Sequence, residues 1–196
     1  MQHNKKKSVF KITTRLKIDS QHSEKELLVL CKKGDSKAQF EIYKQYFKAM
    51  YNTCLRIVNN KTDAEDVMQE AFLAAFNKIE TFREEVAFGG WLKRIVINKS
   101  LDYLKSKKMA FEDIDNFQVK DDETQEPDWN SIELKVDEIK KAINKLADGY
   151  RVVLTLYLLE GYDHEEIAEI LNISNSSSRS QLTRAKQKLL QNLTAF

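Results

Sequence analysis

The sequence predicts an all-α protein built as two small helical domains joined by an acidic linker, and three observations predict it. Pro occurs once and Gly five times in 196 residues, while Lys, Glu, Leu, Ile and Ala abound, a composition that favours helix along nearly the whole chain. Apolar residues recur at three- and four-residue spacing in several long stretches, and no alternating strand pattern stands out. One segment, 109–130, breaks the periodicity: it holds eight acids against Lys120, together with the single proline, Pro127. The chain therefore divides into a basic, disordered tail at 1–22, a helical domain at 23–108, the linker at 109–130 and a second helical domain at 131–196.

Taken in order, the first helix is SEKELLVLCKK, with Ser23 and Glu26 at capping-box spacing and Gly34 as its stop. A longer helix runs from Ser36 to about Asn59, and its Phe40, Tyr43, Tyr46, Phe47, Met50, Cys54, Leu55 and Val58 form a wide apolar stripe expected in the core. Thr62 and Glu65 repeat the capping-box spacing and set the third helix to start near Asp63. Its Val67, Met68, Ala71, Phe72, Ala75 and Ile79 face inward, which leaves Asp66, Gln69, Glu70 and Leu73 together on another face. The fourth helix, Phe88 to Lys108, carries six basic residues against Asp102, and between it and the third lie Phe82, Arg83, Phe88 and Trp91. Aromatics interleaved with basic groups are the composition that stacks unpaired bases while neutralising phosphates.

Beyond the linker, Ile132 to Leu146 reads as amphipathic and Gly149 to Leu159 as apolar nearly all round, hence central, with Gly161 ending it. DHEEIAEILNISNSSSRSQLTRAKQKLL then reads as a helix-turn-helix. Ile167, Ala168, Leu171 and Ile173 supply the inner face of its first helix, Asn172 takes the left-handed turn position, and Ser174 caps the second helix. Ser178, Leu182, Ala185 and Leu189 point inward on that second helix, leaving Ser176, Ser177, Arg179, Gln181, Thr183, Arg184 and Lys188 for solvent or DNA. His164, in an acidic first turn without a ligand partner, is expected on the surface or in a capping role.

The net charge of +2 conceals segregated blocks: six bases against Asp19 in 1–22, the acidic linker, and four bases with no acid in 174–196. Such alternation suggests two DNA-facing modules with an acidic connector. The longest apolar run, Val152 to Leu159, is far short of the roughly 20 residues a membrane span requires, and MQHNKKKSVF is no secretory signal, so a cytoplasmic protein without membrane insertion is expected. Cys31 and Cys54 lack CxxC or metal-ligand neighbours and read as buried thiols. Without a nucleophile–base pair, metal cluster or phosphate-cradling glycine loop in view, neither catalysis, nor metal, nor cofactor is expected.

Two motifs now resemble a known family. DAEDVMQEAFLAAF followed by FGGWLKRIVINKSLDYLKSKK looks like region 2 of the extracytoplasmic-function sigma factors of the sigma-70 family, and GYRVVLTLYLLEGYDHEEIAEILNISNSSSRSQLTRAKQKL looks like their region 4. The resemblance implies a factor that binds core RNA polymerase and directs promoter-specific initiation by recognising and melting promoter DNA. The alternative is a conventional helix-turn-helix repressor or activator that binds duplex DNA without polymerase. The resemblance further implies that Asp66, Gln69, Glu70 and Leu73 dock on the polymerase clamp helices. Phe82, Arg83, Phe88, Trp91, Arg94 and Asn98 would open and read the minus-ten element, and Ser176, Ser177, Arg179, Ser180, Thr183, Arg184 and Lys188 the minus-thirty-five element. An anti-sigma factor is implied as a further partner. The chain departs from the family pattern at Ser178, often aliphatic, and Gln181, often arginine. A 22-residue linker reaches at most about 75 Å, against roughly 70 Å between sites two helical turns apart on DNA, so it must be held stretched in the complex.

Overall fold

A computed structural model describes residues 22–110 and 136–194, so the expected basic tail and most of the linker lie outside the described residues. The described residues form α1 (Glu24–Lys32), α2 (Ser36–Val58), α3 (Lys61–Asn77), a 3-10 turn (Ile79–Thr81), α4 (Phe88–Ala110), α5 (Val136–Asn144), α6 (Asp148–Leu154), α7 (His164–Leu171) and α8 (Asn175–Thr194). The all-helical expectation holds.

Local chemistry sets most of the boundaries. Ser23 and Glu26 form the expected capping box on α1, and Gly34 follows its end at φ +80°. Asp35 caps α2 by accepting from the Lys37 and Ala38 amides, and Asn59 closes that helix in the left-handed conformation. The third helix corrects its predicted start: Asn60, not Thr62, is the cap, accepting from the Asp63 amide at 3.1 Å. Asparagine outranks threonine as a cap, and its position two residues earlier satisfies the first-turn amides first.

Leu27, Leu28 and Cys31 of α1, Ile42, Met50 and Cys54 of α2, Val67, Met68, Ala71 and Phe72 of α3, and Phe88, Leu92 and Val96 of α4 build one core. The stripe predicted for α2 is only partly inside, since Phe40 is 58% and Phe47 39% exposed. Instead Phe40, Tyr43, Phe47 and Tyr51 lie ring against ring along the edge of the bundle. Both cysteines are buried, and desolvation lifts the Cys31 thiol to about 11, followed by the nearby Asp35 charge. Thiolate chemistry is thereby suppressed.

A second core joins Ala142 and Leu146 to Leu154, Ala185, Leu189 and Leu193. The segment expected to be apolar all round splits: 151–156 is buried, whereas Thr155–Leu159 widens into a π-turn on which Tyr157, Leu158 and Leu159 are exposed. A third cluster spans both halves, setting Ile57, Ile97 and Leu101 against Val152, Leu156, Ile167 and Ile170.

Candidate polymerase and nucleic-acid interfaces

The burial of Val67, Met68, Ala71, Phe72 and Ala75 rotates the opposite side of α3 outward. Asp66, Gln69, Glu70 and Leu73 all lie exposed there, and Leu73 at 65% is the most open large apolar side chain of α3. Lys99 approaches Glu70 at 3.9 Å with both side chains solvated, so the pair adds little and leaves the carboxylate free to meet another surface. An apolar residue flanked by acids on a rigid helix is suited to a cationic, partly apolar partner.

The loop from Phe82 to α4 has a different character from the one composition suggested. Phe82 and Phe88 are buried, edge-on to one another at 5.4 Å between centroids, and the half-buried Trp91 packs on both at 5.3 and 5.5 Å. These rings anchor the loop rather than offering three free stacking faces. Lys32 Nζ donates to the Phe82 carbonyl at 3.4 Å and ties the loop to α1. Arg83 stays exposed, Glu84 takes φ +60°, and Val86 is 60% exposed at the tip. Val86 escaped the sequence reading because a lone valine among charges carries no motif. Along α4, Trp91, Arg94 and Asn98 follow at three- and four-residue spacing, with Asn98 exposed and Arg94 half-buried.

The helix-turn-helix forms as expected. Asp163, with Glu166 in a capping box, starts α7; Asn172 takes φ 55°, ψ 50°; and Ser174 Oγ accepts from the Ser177 amide at 3.0 Å. Ser178, Leu182, Ala185 and Leu189 are buried. Outward, Arg179 Nε donates to Asn175 Oδ1 at 2.8 Å, which holds the guanidinium along the helix. Ser180 and Thr183 hydroxyls bond back to the carbonyls of Ser176 and Arg179, so in this state they are satisfied within the helix. Ser176 and Lys188 are exposed, while Ser177 and Arg184 are half-buried.

His164 is neither a cap nor a free surface group. Its Nδ1 lies 2.9 Å from the Ser178 hydroxyl, and its ring stacks on Tyr157 at 4.8 Å. The polar residue at 178 thus has its partner in the first helix, which accounts physically for a serine at an inward position. Desolvation, then the charges of Arg179 and Lys186, pushes His164 below its ordinary value of 6.5.

Residues 42–109 match Sigma-70 region 2 and residues 137–189 match Sigma-70 region 4. The chain is 31% identical over 180 residues to the ECF RNA polymerase sigma-E factor of Haemophilus influenzae, covering 86% of this chain and 94% of that one. It is 32% identical over 173 residues to the ECF RNA polymerase sigma factor SigW of Bacillus subtilis, covering 83% and 92%. Among solved structures, the sigma factor RpoE of Bartonella quintana, determined in complex with the anti-sigma factor NepR, shares the fold with a TM-score of 0.56 at 21% identity, covering 79% of this chain and 95% of that one. Region 2 and region 4 in order, with nearly the full length of two relatives covered, set aside the stand-alone repressor. The chain belongs to the ECF sigma factors of the sigma-70 family, non-enzymatic subunits that direct RNA polymerase to promoters.

Proposed function

We propose a division of labour among three surfaces of this sigma factor. The exposed edge of α3, formed by Asp66, Gln69, Glu70 and Leu73, takes the polymerase. Arg83, Trp91, Arg94 and Asn98 act on the minus-ten element, with Phe82 and Phe88 holding the loop in place. Ser176, Ser177, Arg179, Ser180, Thr183, Arg184 and Lys188 serve the minus-thirty-five element. The working units are 23–108 and 131–196, joined by 109–130 and preceded by the tail at 1–22. The place of action is the cytoplasm, in keeping with the finding that no helix of the described residues is long and apolar enough to cross a membrane. An anti-sigma factor as a further partner is supported by the family and by the shared fold with RpoE.

The observation that carries this reading is the opposition of charge within one helical domain: acids and Leu73 lie exposed on α3, while α4 carries basic residues beside a half-buried tryptophan. The test is a titration of core polymerase with Asp66→Lys and Glu70→Lys. Charge reversal at an interface rim slows association and adds repulsion, so affinity should fall while circular dichroism stays unchanged. Unchanged affinity would remove α3 as the docking edge.

A further inference from the structure

On the inner face of α8, Ser178 is fully buried at a position in line with Leu182, Ala185 and Leu189. Its hydroxyl meets His164 Nδ1 of α7 at 2.9 Å, and the imidazole lies in turn against the Tyr157 ring of the π-turn, 4.8 Å between centroids and 27° between planes. The hydroxyls around it stay local: Ser176 and Ser177 bond to Ser174 Oγ, Ser180 to the Ser176 carbonyl and Thr183 to the Arg179 carbonyl. Ser178 reaches across to the neighbouring helix instead.

The two kinds of contact constrain α8 differently. Apolar packing is non-directional, and helix crossings set by it scatter by about 15–20°. A hydrogen bond prefers a donor angle above about 150° and weakens steeply below about 120°; at a buried site its loss strands both partners. A roll of α8 about its own axis therefore slides past Leu182 and Leu189 at small cost but breaks the bond at Ser178. Roll matters because Ser177 and Arg179, on either side of Ser178 in the chain, leave the same turn toward the surface. On a helix about 6 Å in radius a roll of about 20° carries side-chain tips by about 2 Å, whereas a binding constellation must be held to within about 0.5 Å. We propose that His164 is a positioning residue for promoter reading: through Ser178 it fixes the roll of α8, and with it the base preference at the minus-thirty-five element. The proposal rests on the assignment of α8 to that element.

The test uses holoenzyme assembled from core polymerase and the full chain, with a duplex DNA pool randomised over both promoter elements as the probe. Sequencing the bound fraction gives the base preference at each element, and competition between the enriched minus-thirty-five sequence and its scrambled counterpart gives the selectivity. His164→Phe keeps a ring against Tyr157 and removes the bond; Ser178→Ala removes it from the other side. Each should lower selectivity about tenfold, roughly the discrimination that one base pair supplies, while the preference at the minus-ten element stays as in wild type. The double variant should lose no more than either single one, since both delete the same bond. His164→Asn, whose amide places a polar atom where Nδ1 stood, and Ser178→Thr should keep most of the selectivity. Val153→Ala, a cavity at a buried position of α6, is the control for lost stability and should leave selectivity unchanged. Wild-type selectivity in folded His164→Phe and Ser178→Ala holoenzymes overturns the proposal, as does an equal loss in Val153→Ala or in His164→Asn. Should His164→Phe misfold, Ser178→Ala against Ser178→Thr decides. If wild type enriches no sequence at the minus-thirty-five position, the assignment of α8 falls and the proposal with it. If wild type and the bond-deleting variants enrich one equally well, the assignment stands and the proposal alone falls.

Discussion

At the scale of single residues, burial separates two neighbours that composition treated alike. Phe82 is 4% exposed and wedged between Phe88 and Trp91, whereas Arg83 beside it faces solvent. Phe82→Ala should therefore cost about 3–5 kcal/mol of stability and depress transcription on every template. Arg83→Ala should leave the melting temperature within error, and a pre-melted bubble over the minus-ten element should restore its activity. Equal loss on normal and pre-melted templates would show that Arg83 does not act in strand opening. The two glycines that follow Phe88 form a similar pair. A Cβ on Gly89 would sit 2.8 Å from Tyr46 Cε1, a ring tied by the hydrogen bond from its hydroxyl to Glu24 and by its edge-to-face packing with Phe88. A Cβ on Gly90 meets nothing within 4 Å. Gly90→Ala should raise stability by about 0.5–1 kcal/mol through helix propensity, while Gly89→Ala should lower it by about 1–3 kcal/mol through overpacking. Urea titration of both variants checks the opposite signs.

At the scale of elements, caps and stripes were readable where one local interaction decides, and misread where two compete or where a neighbour far along the chain decides. Ser23 had no rival as a cap, but Thr62 lost to Asn60, which offers the same three-residue reach two residues earlier. The stripe on α3 is narrow and was read correctly, whereas that on α2 is wider than its neighbours can cover, so Phe40 and Phe47 remain at its edge. The inward pattern of the recognition helix was legible residue by residue. Its tie to His164 was not, because residues 14 apart leave no periodic signal. That tie carries a pH dependence of fixed sign. His164 is held below 6.5 in the folded chain, so between that lowered value and 6.5 the unfolded state binds more protons and stability rises with pH. The contribution is present above 6.5 and is lost as pH falls through the folded value. The wild-type melting temperature should drop more between pH 7.5 and 5.5 than that of His164→Gln, which cannot titrate; parallel curves would show that the ring contributes nothing through protonation.

At the scale of the whole molecule, one buried cation joins what the sequence divides. The C-terminal ends of α2 and α5 converge, each bringing carbonyls that no helical amide can satisfy. Asn59 Nδ2 donates across to the Asn144 carbonyl at 2.9 Å, and Arg151, 2% exposed, fills the gap between the halves. Its Nη1 donates to the Leu146 carbonyl at 2.9 Å, and its Nη2 to the Ile57 carbonyl at 3.1 Å and to Asp148 at 2.6 Å. Two helix ends with partial negative charge would repel, and a planar guanidinium with several fixed donors answers both, which a lysine cannot do from one point. Arg151→Leu strands two carbonyls at about 1–3 kcal/mol each and returns little by apolar contact, so a loss of about 3–5 kcal/mol is expected. Asp148→Asn should cost under about 1 kcal/mol, because that carboxylate is 63% exposed and largely screened. The decisive readout is placement. Although Arg151 belongs to the second half, its loss should speed hydrogen exchange of the amides at 53–58, at the end of α2 in the first half. Exchange confined to α6 would mean that the halves unfold independently and that Arg151 serves only its own domain.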